Sequence, residues 1–133
     1  SARCGTLTSP PTRRRKARQS AVSYTTPMDT IIGPLPPISA SEYLLRVNRA
    51  GGAPGTKTAI HTHPGSEGFY VLAGKLGQKT PHGVTYTEAG MTMTGHGPDT
   101  PMEVFNAGTI DLDELAIFVV DANRPFSSPA SLD

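Results

Sequence analysis

The chain has 133 residues, of which 36% are hydrophobic and 17% are charged. This length fits one domain with a substantial core, and the composition excludes an intrinsically disordered chain. The formal net charge of +1 hides an uneven distribution, because residues 1–20 hold six of the twelve basic residues and no acidic one. Residues 21–133 therefore carry six basic and eleven acidic residues, a net charge of −5. Nucleic acid is not an expected partner of this acidic part, because affinity for phosphates comes mainly from Lys and Arg.

Cysteine usage and hydropathy narrow the class of protein further. The one cysteine, Cys4, excludes an internal disulfide and a thiolate metal cluster. Apolar runs fall short of the roughly 18–20 residues that span a bilayer, so no membrane segment is predicted. The basic run Arg13–Arg18 is not followed by the apolar stretch of a signal peptide. Both a cytoplasmic and an exported, periplasmic location stay open.

Composition divides the chain into three parts. Residues 1–20 are basic and lack periodicity, which predicts a flexible arm. Residues 21–40 are rich in proline, which lacks the backbone donor of a central strand, so an extended lead-in is predicted. Residues 41–133 are predicted to form the folded barrel, and they end in a polar C-terminal exit segment.

Short runs of strand-forming residues follow one another from Ser41, and glycine or proline turns separate them. No sustained 3.6-residue periodicity indicates a helix. Seven or eight strands at this spacing predict an all-β barrel or sandwich. In chain order the predicted strands lie within SEYLLRVNRA, KTAIHTH, EGFYVLAG, KLGQKTPHG, VTYTEAG, MTMTGHGPD, TPMEVFNAG and ELAIFVVDA.

Two of these strands are apolar on both faces. Along Glu67–Ala73, alternate side chains from Glu67 onward are predicted to point inward, yet Tyr70 and Leu72 on the other face are also apolar. The run Leu115–Val120 has the same character. Such strands need a second layer outside the barrel. A homodimer partner or the lead-in segment can supply that layer, and a homodimer is the expectation.

The sequence HTHPGSE carries the chemistry. His61 and His63 lie two apart on a predicted strand and therefore project to one face. A turn at residues 64–66 is predicted to reverse the chain and bring Glu67 back to the same point as a hairpin. Two imidazoles and a carboxylate suit Fe, Mn, Ni, Zn or Cu as divalent ions and leave coordination positions open. The plainer alternative is a half-exposed pair of strand histidines without a metal.

The residues around these ligands add a family resemblance. Gly55, five residues, His61-x-His63, three residues, Glu67, six residues and Gly74 stand in that order. This spacing resembles the first motif of the cupin superfamily. The resemblance covers roughly residues 40–120 and implies a cupin-type double-stranded β-helix, or jelly-roll, barrel with a metal at its centre. It also implies a dimer, since cupins commonly form one.

The second cupin motif matches less well. Asn106 and Gly108 fall on its Asn-x-Gly, but Met102 stands where the family has a third histidine. Three interpretations of Met102 stay open. It is an apolar lining residue beside a three-ligand site, or it is a copper ligand, because thioethers are soft ligands. In the third, the site is degenerate and holds no metal. His96, in the preceding loop, is an alternative fourth ligand, whereas His82 in a turn is predicted to face solvent.

The resemblance implies two classes of function. The first is a metal-dependent enzyme of the oxygenase, isomerase or lyase type acting on a small organic molecule. In that enzyme His61, His63, Glu67 and Met102 are the candidate metal ligands, and Glu67 is the catalytic base if no metal is bound. The second is a non-catalytic cupin that binds or senses a small ligand or a metal. The fold alone does not decide between them.

Overall fold

The structure is a computed structural model that describes residues 21–29, 37–94 and 96–133. These residues form nine β-strands and no helix, and none of them belongs to a helix suited to crossing a membrane. The strands are β1 Tyr43–Gly52, β2 His61–Thr62, β3 Gly65–Ala73, β4 Lys75–Thr80, β5 Gly83–Glu88, β6 Thr92–Thr94, β7 Glu103–Asn106, β8 Leu112–Asp121 and β9 Ser128–Pro129. The predicted arm at residues 1–20 lies outside the described residues.

The strands form two layers. One layer is an antiparallel sheet in the order β1-β8-β3-β6. The other contains β5-β4-β7 and the short pair β2-β9, which two isolated bridges join: Lys57 pairs with Phe105, and His61 pairs with Met102. Strands that are neighbours in space are mostly distant in sequence, as in a jelly roll. The predicted all-β architecture is confirmed.

The core lies between the two layers and follows the two-residue period of the strands. In β3 the buried side chains are those of Glu67, Phe69 and Val71, which confirms the predicted inward face. The strands β3 and β8 supply most of the apolar core. Its buried members are Phe69, Val71, Leu76, Leu112, Ala116, Phe118 and Val120.

The predicted hairpin between the two histidines and Glu67 is wrong. β2 pairs with β9, whereas β3 begins at Gly65 and pairs with β8 in the other layer. The backbone carbonyl of Pro64 accepts a hydrogen bond from the Asp121 amide at 3.0 Å. The predicted turn residues are therefore tied to β8 from the start, and the chain crosses from one layer to the other at Pro64. His61 and Glu67 consequently lie on opposite walls of the barrel.

The polar exit segment contains a strand that its sequence did not indicate. Ser128 and Pro129 form β9 and pair with Thr62 and His61 of β2. The Ala130 amide extends this contact by donating to the Ile60 carbonyl at 3.1 Å. The end of the chain therefore covers the backbone edge of the histidine strand.

The outer face of the four-stranded sheet is apolar, as the sequence predicts. Tyr43, Leu45 and Val47 on β1 are 58–69% exposed in the single chain. The lead-in covers part of this outer face. Met28 Cε lies 3.1 Å from the position that a Cβ on Gly68 of β3 would occupy. The lead-in contact at Gly68 leaves these three β1 side chains exposed.

Candidate functional site

Met102 lies beside His61 because their strands pair. The His61 amide donates to the Met102 carbonyl and the Met102 amide donates to the His61 carbonyl, each at 2.9 Å. Residues directly opposite in an antiparallel pair point to the same face of the sheet. The structure therefore brings together the two motifs that are 41 positions apart in the chain.

The two imidazoles form a compact pair. Their ring centroids are 4.8 Å apart and nearly perpendicular, His63 is buried and His61 is half-buried. His61 Nδ1 donates to the Ala59 carbonyl at 2.8 Å, and His63 Nδ1 donates to the Phe126 carbonyl at 2.6 Å. Since a carbonyl can only accept, each neutral ring keeps its lone pair on Nε2. A backbone carbonyl on the far nitrogen is the arrangement that orients metal-binding histidines.

The protonation of His63 favours the same state. Burial lowers the pKa of His63, the hydrogen bond to the Phe126 carbonyl opposes this shift, and the nearby His61 lowers the pKa further. The net effect is a pKa below the ordinary 6.5, so His63 is neutral at neutral pH. A neutral imidazole is the form that binds a metal.

Glu67 is the one acidic side chain of the motif, and it lies on β3. Its side chain is buried, and Oε1 accepts no hydrogen bond from any residue that the structure describes. Burial raises the pKa of Glu67 to about 8, and the carboxyl of Glu114 adds to this shift. An unpaired buried carboxylate is costly, so Glu67 is mostly protonated at neutral pH unless a cation binds.

The described residues contain no group of three or more His, Cys, Asp or Glu side chains placed to hold a metal ion. The two histidines meet, but Glu67 starts from the opposite layer, so the three predicted ligands are not gathered as a triad. The chemistry of the donors nevertheless fits a first-row transition metal: two imidazoles and one carboxyl, of which one oxygen has no partner among the described residues. That these residues bind metal stays a prediction.

Met102 has a protein partner of its own. Its side chain is 2% exposed, and its Sδ accepts a hydrogen bond from Gln78 Nε2 at 3.5 Å. In this arrangement the thioether lines the interior and holds an amide. His96, the alternative ligand, stacks on the exposed His82 with ring centroids 6.1 Å apart and belongs to no three-residue metal cluster within the described ranges.

The motif residues Asn106 and Gly74 have structural roles. Asn106 Nδ2 donates to the carbonyls of Gly52 and Ile110 at 3.0 and 2.8 Å, and its Oδ1 accepts from the Gly108 amide at 2.8 Å. Asn106 therefore ties the end of β1 to the loop between β7 and β8. Gly74 has a φ of +85°, a conformation that side chains other than glycine rarely adopt.

Three site residues escaped prediction. Phe126, in the exit segment, covers His63 with a ring separation of 4.7 Å and also contacts Phe118 at 4.7 Å. Gln78 and Glu114 are buried inside the barrel. Glu114 could have been found, because it is the acidic member of the inward stripe of an otherwise apolar strand. Phe126 could not, since no pattern connects it to His63.

Comparison with known proteins supports the fold and gives no sequence match. No protein-family model matches the sequence, and a search of curated proteins found no match. Solved structures do match in three dimensions. A cupin-like protein from Thermotoga maritima superposes with a TM-score of 0.58 at 18% identity. A conserved protein with a double-stranded β-helix domain from Klebsiella pneumoniae gives 0.56 at 22% identity.

The chain therefore has the cupin fold. The superpositions cover 66% of this chain and 65% of the Thermotoga protein, and 77% of this chain and 90% of the Klebsiella protein. The polyketide cyclase RemF from Streptomyces resistomycificus superposes with a TM-score of 0.54 at 18% identity over 67% of this chain and 62% of the cyclase. At these identities the likeness establishes the cupin barrel and leaves its chemistry to the residues.

Proposed function

We propose that this cupin barrel binds a divalent transition metal, Fe, Mn, Ni, Zn or Cu, through His61, His63 and Glu67. The observation that carries the proposal is the imidazole pair, 4.8 Å between centroids, with both Nδ1 atoms bonded to backbone carbonyls. Both rings are thereby fixed as ligands through Nε2. Glu67 adds a buried carboxyl oxygen with no partner among the described residues.

Metal binding would also compensate the charge of the buried Glu67 carboxylate. A cation near Glu67 favours the charged carboxylate and opposes the effect of burial, which raises the pKa of Glu67 to about 8. Proton release is therefore coupled to metal uptake. When bound, such an ion supplies a Lewis acid or a redox centre.

We further propose that the site acts on a small organic molecule. The two histidines bind, while Phe69, Val71 and Met102 exclude water from the interior, since all three are 2% exposed or less. Glu67 holds a proton near neutral pH and can exchange it with a substrate as a general acid or base. The shared fold with a polyketide cyclase supports an enzyme, although the reaction of that protein is not transferred.

A non-catalytic metal-binding or ligand-binding cupin is the second candidate. The observation that favours it is Met102, which stands where the family has a histidine and whose Sδ is bonded to Gln78 at 3.5 Å. A site with two histidines and one remote carboxyl binds metal less tightly than one with three histidines. Substitution Met102→His separates the candidates. In a binder it raises metal affinity and creates no activity, and in an enzyme that uses the thioether it abolishes the existing reaction.

The metal proposal is tested by elemental analysis of the purified protein. We expect near-stoichiometric metal that is lost in His61→Ala/His63→Ala. The matched control is His82→Ala/His96→Ala, which removes the other two histidines, a stacked pair. Metal in the control and not in the first variant supports the site. Absence of metal from the native protein, even after incubation with each of the five ions, would overturn it.

We also propose a homodimer through the outer face of β1. Tyr43, Leu45 and Val47 are exposed there, and burying apolar side chains is the main driving force for association. Leu45→Glu should convert a dimer to a monomer in light scattering. Val84→Glu, at another exposed apolar position, should leave the mass unchanged. A monomeric native protein at micromolar concentration would contradict this proposal.

A further inference from the structure

The barrel interior contains a second carboxyl that neither cupin motif includes. Glu114 lies on β8 in phase with the buried residues Ala116, Phe118 and Val120. Its side chain is 5% exposed, and Oε2 receives no hydrogen bond from the residues that the structure describes. Its neighbour Asp113 points the other way and pairs with Arg49 at the surface at 2.7 Å. Successive side chains of β8 point to opposite faces, so Asp113 forms an ion pair at the surface and Glu114 is buried.

No ion pair among the described residues includes Glu114. The ion pairs found there are Arg49–Asp113 and Arg124–Asp99, both of which lie at the surface. Leaving a buried acceptor without a donor costs about 1–3 kcal/mol, and more for a charged group. A residue that carries such a cost in an otherwise apolar stripe indicates a functional role more often than a packing role.

Glu114 lines a cavity of about 110 Å³ that is partly open to solvent, where the end of β1 and the start of β8 face β7. A water molecule occupies roughly 30 Å³ of liquid, so the cavity holds about three or four waters or an organic group of similar size. Its walls also include Gly52, Thr56, Lys57, Thr58, Val104, Asn106 and Leu112, of which Lys57 is an exposed cation.

Two of the other polar side chains of the cavity wall, Asn106 and Thr58, are already engaged. The Asn106 amide bonds to the Gly52 and Ile110 carbonyls, and its oxygen accepts from Gly108. Thr58 Oγ1 accepts from the Val104 amide at 3.0 Å. Glu114 is a buried acidic residue on the wall of this space, and its Oε2 has no donor among the described residues. What it lacks is a hydrogen-bond donor.

We propose that Glu114 and this cavity form a second binding site, which takes a small molecule or substituent bearing an ammonium or hydroxyl donor. Ammonium and hydroxyl share the required chemistry, since each donates to a carboxyl oxygen, whereas an anion of the same size would be repelled by the ionised carboxylate. The site does not depend on a metal at His61 and His63. Its failure is therefore distinguishable from failure of the metal proposal.

The test is an NMR titration of isotopically labelled full chain, with metal removed by chelation, at pH 8. Ethanolamine, ethylene glycol and acetate are the three probes. The signals followed are the methyl groups of Val104 and Leu112 and the side-chain amide of Asn106. We expect saturable shifts with ethanolamine or ethylene glycol at dissociation constants on the order of millimolar, as suits ligands of four heavy atoms. Acetate should give none.

Two variants and one control identify the site. Glu114→Gln should weaken binding at least tenfold, whereas Glu88→Gln at an exposed position should leave it unchanged. Val104→Leu keeps the acid and narrows the cavity, so it should also weaken binding and guards against a folding defect in the first variant. Binding that persists in Glu114→Gln and Val104→Leu, shifts with acetate alone, or no saturable shift with any probe would overturn the proposal.

Discussion

The two walls of the barrel hold their candidate ligands in different ways, although Gln78 on β4 also has a buried oxygen without a donor in the described part of the chain. On the wall of β2 and β7, His61, His63 and Met102 are each held by a hydrogen bond to another protein group. On the wall of β3 and β8, Glu67 and Glu114 are buried with an oxygen that the described residues leave without a donor. The first wall is preorganised, and the second requires a proton, a cation or a ligand.

In this barrel the side chains with a fixed orientation and the side chains with a variable charge state therefore lie on different walls. The imidazoles are oriented by backbone carbonyls whose positions strand pairing fixes. The carboxyls stand on strands whose inward faces are otherwise apolar, so their charge state responds to whatever enters. Substitutions on the two walls are therefore expected to have different effects.

The largest effect is expected from the preorganised wall. His63→Ala should weaken cobalt(II) binding at least 100-fold, because it removes a ligand and frees the carbonyl that orients it. Glu67→Gln should weaken binding by a smaller factor, about tenfold, since Glu67 begins on the opposite wall. Absorption titrations of both variants with cobalt(II) measure which substitution causes the larger loss of affinity. A larger loss in Glu67→Gln than in His63→Ala would contradict the comparison.

The carboxyl wall predicts a stability that falls as pH rises. Burial raises the pKa of Glu114 from the ordinary 4.5 to about 7, so the folded state binds this proton more tightly than the unfolded state. Its contribution is fully present below about pH 4.5 and is lost as pH rises through 7. For the metal-free protein the loss from Glu114 alone between pH 5 and pH 8 is on the order of 3 kcal/mol, and Glu67 adds to it.

Urea unfolding at pH 5 and pH 8 measures this effect. Glu114→Gln should remove a substantial part of the pH dependence, leave the part that comes from Glu67, whose pKa is raised to about 8, and be more stable than the native chain at pH 8. Glu88→Gln, at an exposed position, serves as the matched control. The same pH dependence in native protein and Glu114→Gln would show that other groups are responsible.

The contact between the exit segment and the histidines gives a smaller effect. Phe126→Ala removes a ring that packs against His63 and Phe118 and lies under the Arg46 guanidinium at 4.1 Å. Because Phe126 is only half-buried, the loss of stability should be about 2 kcal/mol, below the range for a full core truncation. Metal affinity should fall about threefold, since His63 loses its cover but keeps its carbonyl. Thermal unfolding and cobalt(II) titration check both values.

The smallest effect is expected for Met102→Leu. The side chain keeps its volume, so stability should change by less than about 1.5 kcal/mol, with the lost contact from Gln78 as the main cost. Affinity for zinc should stay within twofold of the native value. A large loss of copper(I) affinity alone would instead identify Met102 as a soft ligand.

The sequence by itself determined the strands other than β9, the inward face of β3, the turn at Gly74 and the cupin barrel. Those features depend on the alternation of apolar and polar residues along each strand and on local backbone conformations such as the positive φ of Gly74. Both are set by residues close together in the sequence. The sequence also aligned Met102 with the histidine position of the second motif, and in the structure Met102 pairs with His61.

Only the tertiary structure decided which groups meet across the barrel. The pairing of β3 with β8 from Gly65 onward separated Glu67 from the histidine strand, where the sequence predicted a hairpin. Strand β9 brought the Phe126 carbonyl to His63, 63 positions away. Strand partners depend on long-range hydrogen bonds and on the burial of whole faces, and neither is encoded in the few residues around a motif.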